Sequence, residues 1–565
     1  MQHPPPYLSI VAAARNDDHG ANLVRRMQTF IDALVGQAKR HRLPMELVLV
    51  EWNPPSGKPP LADALAWPED SAPCRIRIVT VPAELHRRYR FADALPLYQM
   101  IAKNVGIRRA EGEFILATNI DILLSNELME LLAARRLEAG RMYRVDRFDV
   151  ESEVPLHESL DQQLAYCRAH MIRVNAREGT FALTPEGYRA APAVEIPGAG
   201  GGIFFGPGWY APEQYFGQVF RWIANRAEVN VIPSPMPRVM VLETDPGPGT
   251  NFAGFHLSLL DSAGNLLGGA PVEGPSMIRF RIPSGLTGFG LQITGGGRRS
   301  PVDARTLNAR VLRCEWANGR AADDPSSDDR TRDTPAVTVA ALPARSGRRA
   351  WQIAKGGVRF LSAWGRDNEP RRIGLPLPSS FLKRLQLRSE TRGLSIAVGS
   401  RGTDRPAIPP AILPGALPGT QPSAEAAPAD LHVNACGDFT LAHRRHWMEL
   451  RGYPEFDQYS MNIDSLFCYM AHYGGAVEQI LPEPMRIYHI EHSPGSGWTP
   501  EGQRILFQRL AEKGVGWLDF PEVLHCASLM ARLATTMVFN REDWGLANCD
   551  LPEMAPRGRV LPPCV

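Results

Sequence analysis

The sequence predicts an α/β domain cut in two by an inserted β-sandwich. Three observations carry this. From Tyr7 to about Val150, short apolar runs alternate with amphipathic stretches at helical spacing, the pattern of strands joined by crossover helices. Between 203 and 316 the apolar runs are short and separated by Gly, Pro, Asn and Asp, as in an antiparallel sandwich. From Leu431 the α/β texture returns and continues to about Leu551. At 565 residues the chain exceeds what one hydrophobic core serves, so several domains are required.

Leu8–Ala14 reads as a first buried strand ending at Arg15-Asn16-Asp17-Asp18. The stretch from Asn22 to about Arg42 places Leu23, Met27, Phe30, Ile31, Leu34 and Val35 at helical spacing, a crossover helix. Glu46–Trp52 is a second strand, stopped by Pro54-Pro55, and Arg75–Val81 a third. A helix over Leu97–Arg109 leads into a fourth strand, Glu113–Asn119. This alternation predicts a parallel sheet with ligand groups at the strands' carboxyl ends. In the insertion, 203–316, strands are expected at Arg238–Leu242, Phe255–Leu260, Met277–Ile282 and Gly290–Ile293. Residues 318–345 are polar and poor in aromatics and read as a linker, and 402–430, rich in Pro and Ala, as another. Between them, 346–400 has mixed strand character.

The composition excludes several classes. With 62 basic and 60 acidic residues the chain lacks the overall charge of a nucleic-acid binder. The N-terminus has no secretory pattern and no apolar run reaches membrane-spanning length, so a cytoplasmic protein without a transmembrane segment is expected. The eight cysteines form no Cys-x-x-Cys pair, against a zinc ribbon or disulfide framework. No P-loop, Gly-x-Ser-x-Gly or His-Glu-x-x-His occurs, and Gly198–Gly202 lacks the spacing of a dinucleotide fingerprint.

The chemistry concentrates in Lys103-Asn104-Val105-Gly106 and the downstream Asn119-Ile120-Asp121. On an extended strand Asn119 and Asp121 point to one side, where oxygen ligands suit a hard divalent cation; alternatively they cap the helix starting near Ser125. A second cluster comprises Asp438, Arg451-Gly452-Tyr453-Pro454-Glu455, Asp457 and Met461-Asn462-Ile463-Asp464. Asp464 is either a buried base or the N-cap of a Ser465–His472 helix. Tyr488-His489-Ile490-Glu491-His492 precedes a Gly-rich loop with Trp498, and neutral imidazoles there suit Mn²⁺. Trp498 either stacks on a sugar or closes its loop. Trp209 and Trp222 read as sandwich core or as a glycan platform.

In their order these motifs resemble GT-A glycosyltransferases of the family 2 type, over roughly 7–150 and 431–500, within two halves expected at 7–155 and 431–551. The resemblance implies a GT-A-like (Rossmann-like) nucleotide-sugar-binding domain and an inverting transfer, using Mn²⁺ or Mg²⁺, from a nucleotide-sugar donor, a UDP-sugar foremost, to a glycan or glycoconjugate hydroxyl. It implies donor contacts from Arg15, Asn16, Glu51, Lys103, Asn104, Asn119 and Asp121, and acceptor contacts from Asp438 and Trp498. Asp121, with His489 or His492, would hold the metal, and Asp464, or failing it Asp457, would be the base. Asn119 stands where the family carries an acid, and Met461 and Asn462 replace two more. A competing expectation is therefore a carbohydrate-binding or scaffold protein without catalysis.

Overall fold

The computed structural model describes residues 6–17, 19–190, 195–198, 201–215, 218–298, 303, 305–317, 337–342, 386–388, 395–397, 411–412, 428–492 and 500–556. The chain forms two compact units, one from residues 1–177 with 380–565 and one from 178–379.

The first unit is α/β. Strands β1 (Leu8–Ala14), β2 (Met45–Trp52), β3 (Cys74–Val81) and β4 (Phe114–Ala117) are parallel, in the order β3-β2-β1-β4. The order reverses between β1 and β4, the kind of point at which open α/β sheets bind ligands beyond the carboxyl ends of their strands. β1 and β2 are buried along their whole length, as strands covered on both faces must be. Alternate residues feed two cores. Ile10, Ala12, Leu47 and Leu49 meet Met27, Phe30 and Ile31 of the helix Leu23–His41, while Val11, Val48 and Val50 meet Ile101, Ala102 and Val105 of the helix Gln99–Arg109.

The second half of the chain completes this sheet. Thr440–His443 lies antiparallel between β4 and β6 (Arg141–Arg144), with Thr440 opposite Ala117. Val477–Ile480 extends one edge parallel to β6, and Glu553–Met554 pairs antiparallel with β3 at the other. A smaller sheet joins β5 (Ile122–Leu124), Ile487–Ile490, β7 (Arg147–Val150) and β8 (Met171–Ala176). No helix among the described residues is long and apolar enough to cross a membrane.

Strand β4 ends at Ala117 rather than at Asn119: residues 118 and 119 lie outside the strand and 120–121 form a turn. The expectation that Asn119 and Asp121 share a side through strand alternation therefore fails. Each side chain finds its own partners.

The second unit is a sandwich of two antiparallel sheets. One has the order Ile203–Phe205, Arg226–Val231, Gly288–Thr294, Phe255–Asp261, Leu266–Val272. The other runs Glu213–Tyr215, Gln218–Ile223, Ala309–Trp316, Arg238–Pro246, Ser276–Ile282, Val337–Ala341. Ser276–Ile282 alternates, and its Ile278, Phe280 and Ile282 share a core with Val229 and Leu291 of the opposite sheet. Val337–Ala341 falls inside the segment read as a linker. This short run, rich in β-branched residues, pairs with the free edge of Ser276–Ile282, Val337 opposite Phe280. The rest of 318–345, and most of 346–400 and 402–430, lie outside the described residues. Trp209 is fully buried against Phe205, and the partly buried Trp222 packs with Tyr210, Ala224 and Leu307, so both belong to apolar clusters.

Asn104 joins the two halves of the first unit. Its Nδ2 donates to Tyr453 O (2.8 Å) and its Oδ1 accepts from Tyr453 N (2.8 Å), as a paired backbone would. Gly452, at φ +69°, leaves the space that a Cβ would take from Asn104 Oδ1. Asn104 has no exposed surface, so the donor contact expected of it gives way to this internal clamp. Asn104→Ala is expected to destabilise the protein by about 2–4 kcal/mol, because it leaves buried backbone groups of Tyr453 and the Glu455 carboxylate without this partner. Equilibrium urea unfolding of the full chain measures it, and an unchanged midpoint would refute the clamp.

Candidate functional site

The turn after β4 delivers Asp121 to the end of the chain's second half. Ile490 N donates to Asp121 O (3.0 Å), and His489, opposite both Ile122 and Asp149 in the small sheet, is held by strand register. His489 Nε2 lies 3.8 Å and His492 Nε2 3.3 Å from Asp121 Oδ2. One ligand atom from each of the three residues falls within 4.8 Å of the others. Gly20, at φ +76°, makes room for His492: a Cβ there would overlap His492 Nδ1.

These buried groups can hold a metal ion. One carboxylate with two imidazoles fits a borderline cation such as Mn²⁺ better than Mg²⁺, which prefers oxygen ligands throughout. Burial opposes ionisation of Asp121, but His489, His492 and Arg26 outweigh it and hold the carboxyl well below its usual range. Burial and Arg147 disfavour the His489 cation, yet Asp121 and Asp149 prevail and raise its pKa. Burial lowers His492, with Arg26 and His489 adding to the effect against Asp121. The helix-capping alternative for Asn119 and Asp121 falls away, because Ser125 Oγ accepts from Leu128 N (3.2 Å) and caps Asn126–Ala133 itself.

A polar chain leads from this cluster to the second group of acids. Asp149 pairs with Arg147 (2.9 Å), and Arg147 also pairs with Asp438. Asp438 accepts from Asn119 Nδ2, and Asn119 Oδ1 accepts from Gln99 Nε2 (2.8 Å). Asn119 and Asp438, expected at donor and acceptor, are thus bound to each other.

Lys103 lies behind Asp438. Without exposed surface, it donates to Gly437 O (2.7 Å), and burial pulls its pKa down to about 8 against the opposing pull of Asp438, Asp464 and Asp121. Like Asn104 it faces the protein's second half. Asp464 is the second residue of the helix Ile463–Tyr473 rather than its expected N-cap, a position that Asn462 holds. Its Oδ2 stands where a side chain on residue 437 would begin, 2.7 Å from that Cβ position. Burial raises the Asp464 pKa, opposed by a Cys436 hydrogen bond and the Lys103 charge. Asp457 is partly buried in the preceding loop, and its charge reaches Tyr98 and Glu455.

Arg15, Asn16 and Glu51 stand at the carboxyl ends of β1 and β2. Arg15 Nε donates to Asn53 O (2.6 Å) and Asn16 Nδ2 to Pro59 O (2.8 Å). Glu51, 1% exposed, accepts from Leu61 N (2.8 Å), so its carboxylate anchors the 53–61 loop. Trp498 lies outside the described residues. Sequence reasoning missed Arg147, Asp149 and Arg173. Their signal was available: Arg147-Phe148-Asp149 puts opposite charges at period two on one strand, where an apolar pair would be ordinary.

No family model matches this chain, and no curated protein is significantly similar to it.

Glu455 offers a pH test of the site's frame. Burial pushes its pKa up to about 7, although Gly545 N (2.8 Å) and Asn104 Nδ2 (3.0 Å) both donate to Oε1. A carboxyl raised above its unfolded value stabilises fully below about pH 4.5 and loses that contribution as pH rises through about 7. Glu455→Gln keeps an Oε1 acceptor and cannot ionise. The variant should gain stability relative to the native chain between about pH 5 and 8. Paired urea midpoints across that range check this, and a constant difference would count against it.

Proposed function

We propose that this chain is a metal-dependent glycosyltransferase, moving a sugar from a nucleotide-sugar donor, a UDP-sugar foremost, to a hydroxyl of a glycan or glycoconjugate. The observation carrying this reading is the meeting of Asp121 with His489 and His492 beyond the point where the parallel strand order reverses. Ligand crevices of open α/β sheets lie there, and three nitrogen and oxygen ligands leave a cation with open positions for phosphate oxygens. When bound, the metal would neutralise the diphosphate leaving group.

The remaining work falls to the chain's own side chains. Asp464 takes the acceptor proton; burial raises its pKa, against a Cys436 hydrogen bond and the Lys103 charge. Asp457 is the second choice. Asp438, fixed by Arg147 and Asn119, is positioned to orient acceptor hydroxyls through its carboxylate. Inversion follows if one base and one leaving group act on opposite faces of the sugar.

Incubating the full chain with a panel of nucleotide sugars and Mn²⁺ tests the reading. Donor-dependent nucleotide release is expected, and none across the panel would favour a carbohydrate-binding or scaffold role. Asp121→Ala should abolish Mn²⁺-dependent nucleotide binding by calorimetry; unchanged affinity would remove Asp121 from the site. Asp464→Asn keeps the shape without the basic lone pair and should lower turnover by roughly 10²-fold or more with donor binding retained. Near-native turnover would move the base to Asp457.

A further inference from the structure

We propose that Asp149 is the positioning carboxylate that fixes His489 as a metal ligand, itself held by Arg147, Arg173 and Asn175. This deepens the reading above and rests on its metal centre. The Asp149 side chain has no exposed surface. Its Oδ1 lies 3.2 Å from His489 Nδ1 and 2.9 Å from Arg147 Nε. Its Oδ2 accepts from Arg173 Nε (2.5 Å) and Asn175 Nδ2 (3.1 Å). Arg147 and Arg173 meet this carboxylate from two sides, and an anion between two guanidinium groups is an acceptor.

An imidazole whose Nδ1 faces a carboxylate keeps its proton there and presents the Nε2 lone pair on the other side. In His489, Nε2 is the atom that faces Asp121, and His492 Nε2 converges on the same carboxylate oxygen. Pairing of the Ile487–Ile490 backbone with both β5 and β7 fixes where the ring starts, and the Asp149 carboxylate stands beside its Nδ1.

A rival arrangement would place the cation among Asp149, His489 and Glu491, whose ligand atoms also cluster within 4.8 Å. Arg173 decides against it. It pairs with both Asp149 and Glu491, so a cation there would have to displace a largely buried guanidinium.

The test is Mn²⁺ affinity of the full chain, read from the electron paramagnetic resonance signal of free Mn²⁺. Asp149→Asn should weaken binding by about 10- to 100-fold, the scale for loss of a carboxylate behind a ligating histidine. Because Asp149 acts through His489, adding Asp149→Asn to His489→Gln should cost no more than roughly a further 2-fold. Glu491→Gln should leave the affinity unchanged. Native affinity in a folded Asp149→Asn chain overturns the proposal, as does full additivity with His489→Gln. A tenfold or larger loss in Glu491→Gln also overturns it, by placing the ion in the rival cluster. Should Asp149→Asn fail to fold, Asp149→Glu preserves the charge between the arginines, displaces the carboxylate, and is read through the same cycle. A native chain that binds no Mn²⁺ removes the metal centre itself. Normal Mn²⁺ behaviour without nucleotide release would instead sink the transferase reading alone.

Discussion

Arg147 is the charge on which this site depends. It is buried between Asp149 and Asp438, one from each half of the first unit, and pairs with both carboxylates. A buried ion pair adds little net stability, because desolvation offsets the Coulomb attraction. It does make any other arrangement costly, so it ties β7 to the segment entering Thr440–His443. From this one side chain the polar network runs through Asp149 to the histidines and through Asp438 to Asn119 and Gln99.

The sheet supplies the frame for that network. A parallel core of four strands leaves an edge at β4, and an antiparallel strand from the far end of the chain fills it. That strand carries Asp438 and Gly437 just ahead of it, and the helix holding Asp464 follows. Metal ligands and acids are thereby grouped around the carboxyl ends of β1 and β4 although the sequence separates them by an inserted sandwich. Asn104 and Lys103 reinforce the same junction: both are spent on backbone of the second half, and this explains why two polar residues occupy the buried face of an otherwise apolar helix.

Much of the fold was legible. β1, β2, β3 and the Leu23–His41 helix match their expected spans within a residue or two, because buried parallel strands and amphipathic helices write their period directly into hydrophobicity. The end of β4 was not. Ala-Thr-Asn-Ile-Asp is apolar enough to pass as strand, and only pairing partners decide where the ladder stops. Val337–Ala341 was missed for the converse reason: its strand character is local and weak until a neighbouring edge receives it.

By itself the sequence determined the α/β class and the interruption by a sandwich, since both follow from local periodicity; Asp121 and a histidine, His489 or His492, entered as metal-ligand candidates from residue chemistry and the family resemblance. The tertiary structure alone decided which of the polar residues do internal work. Asn104, Lys103, Glu51 and Asn119 looked like ligand contacts until their partners were known, and Arg147, Asp149 and Arg173 looked like nothing. The reason is physical: a polar side chain's role is set by what neutralises it once water is removed, and for Asn104, Lys103 and Asn119 those partners lie hundreds of residues away.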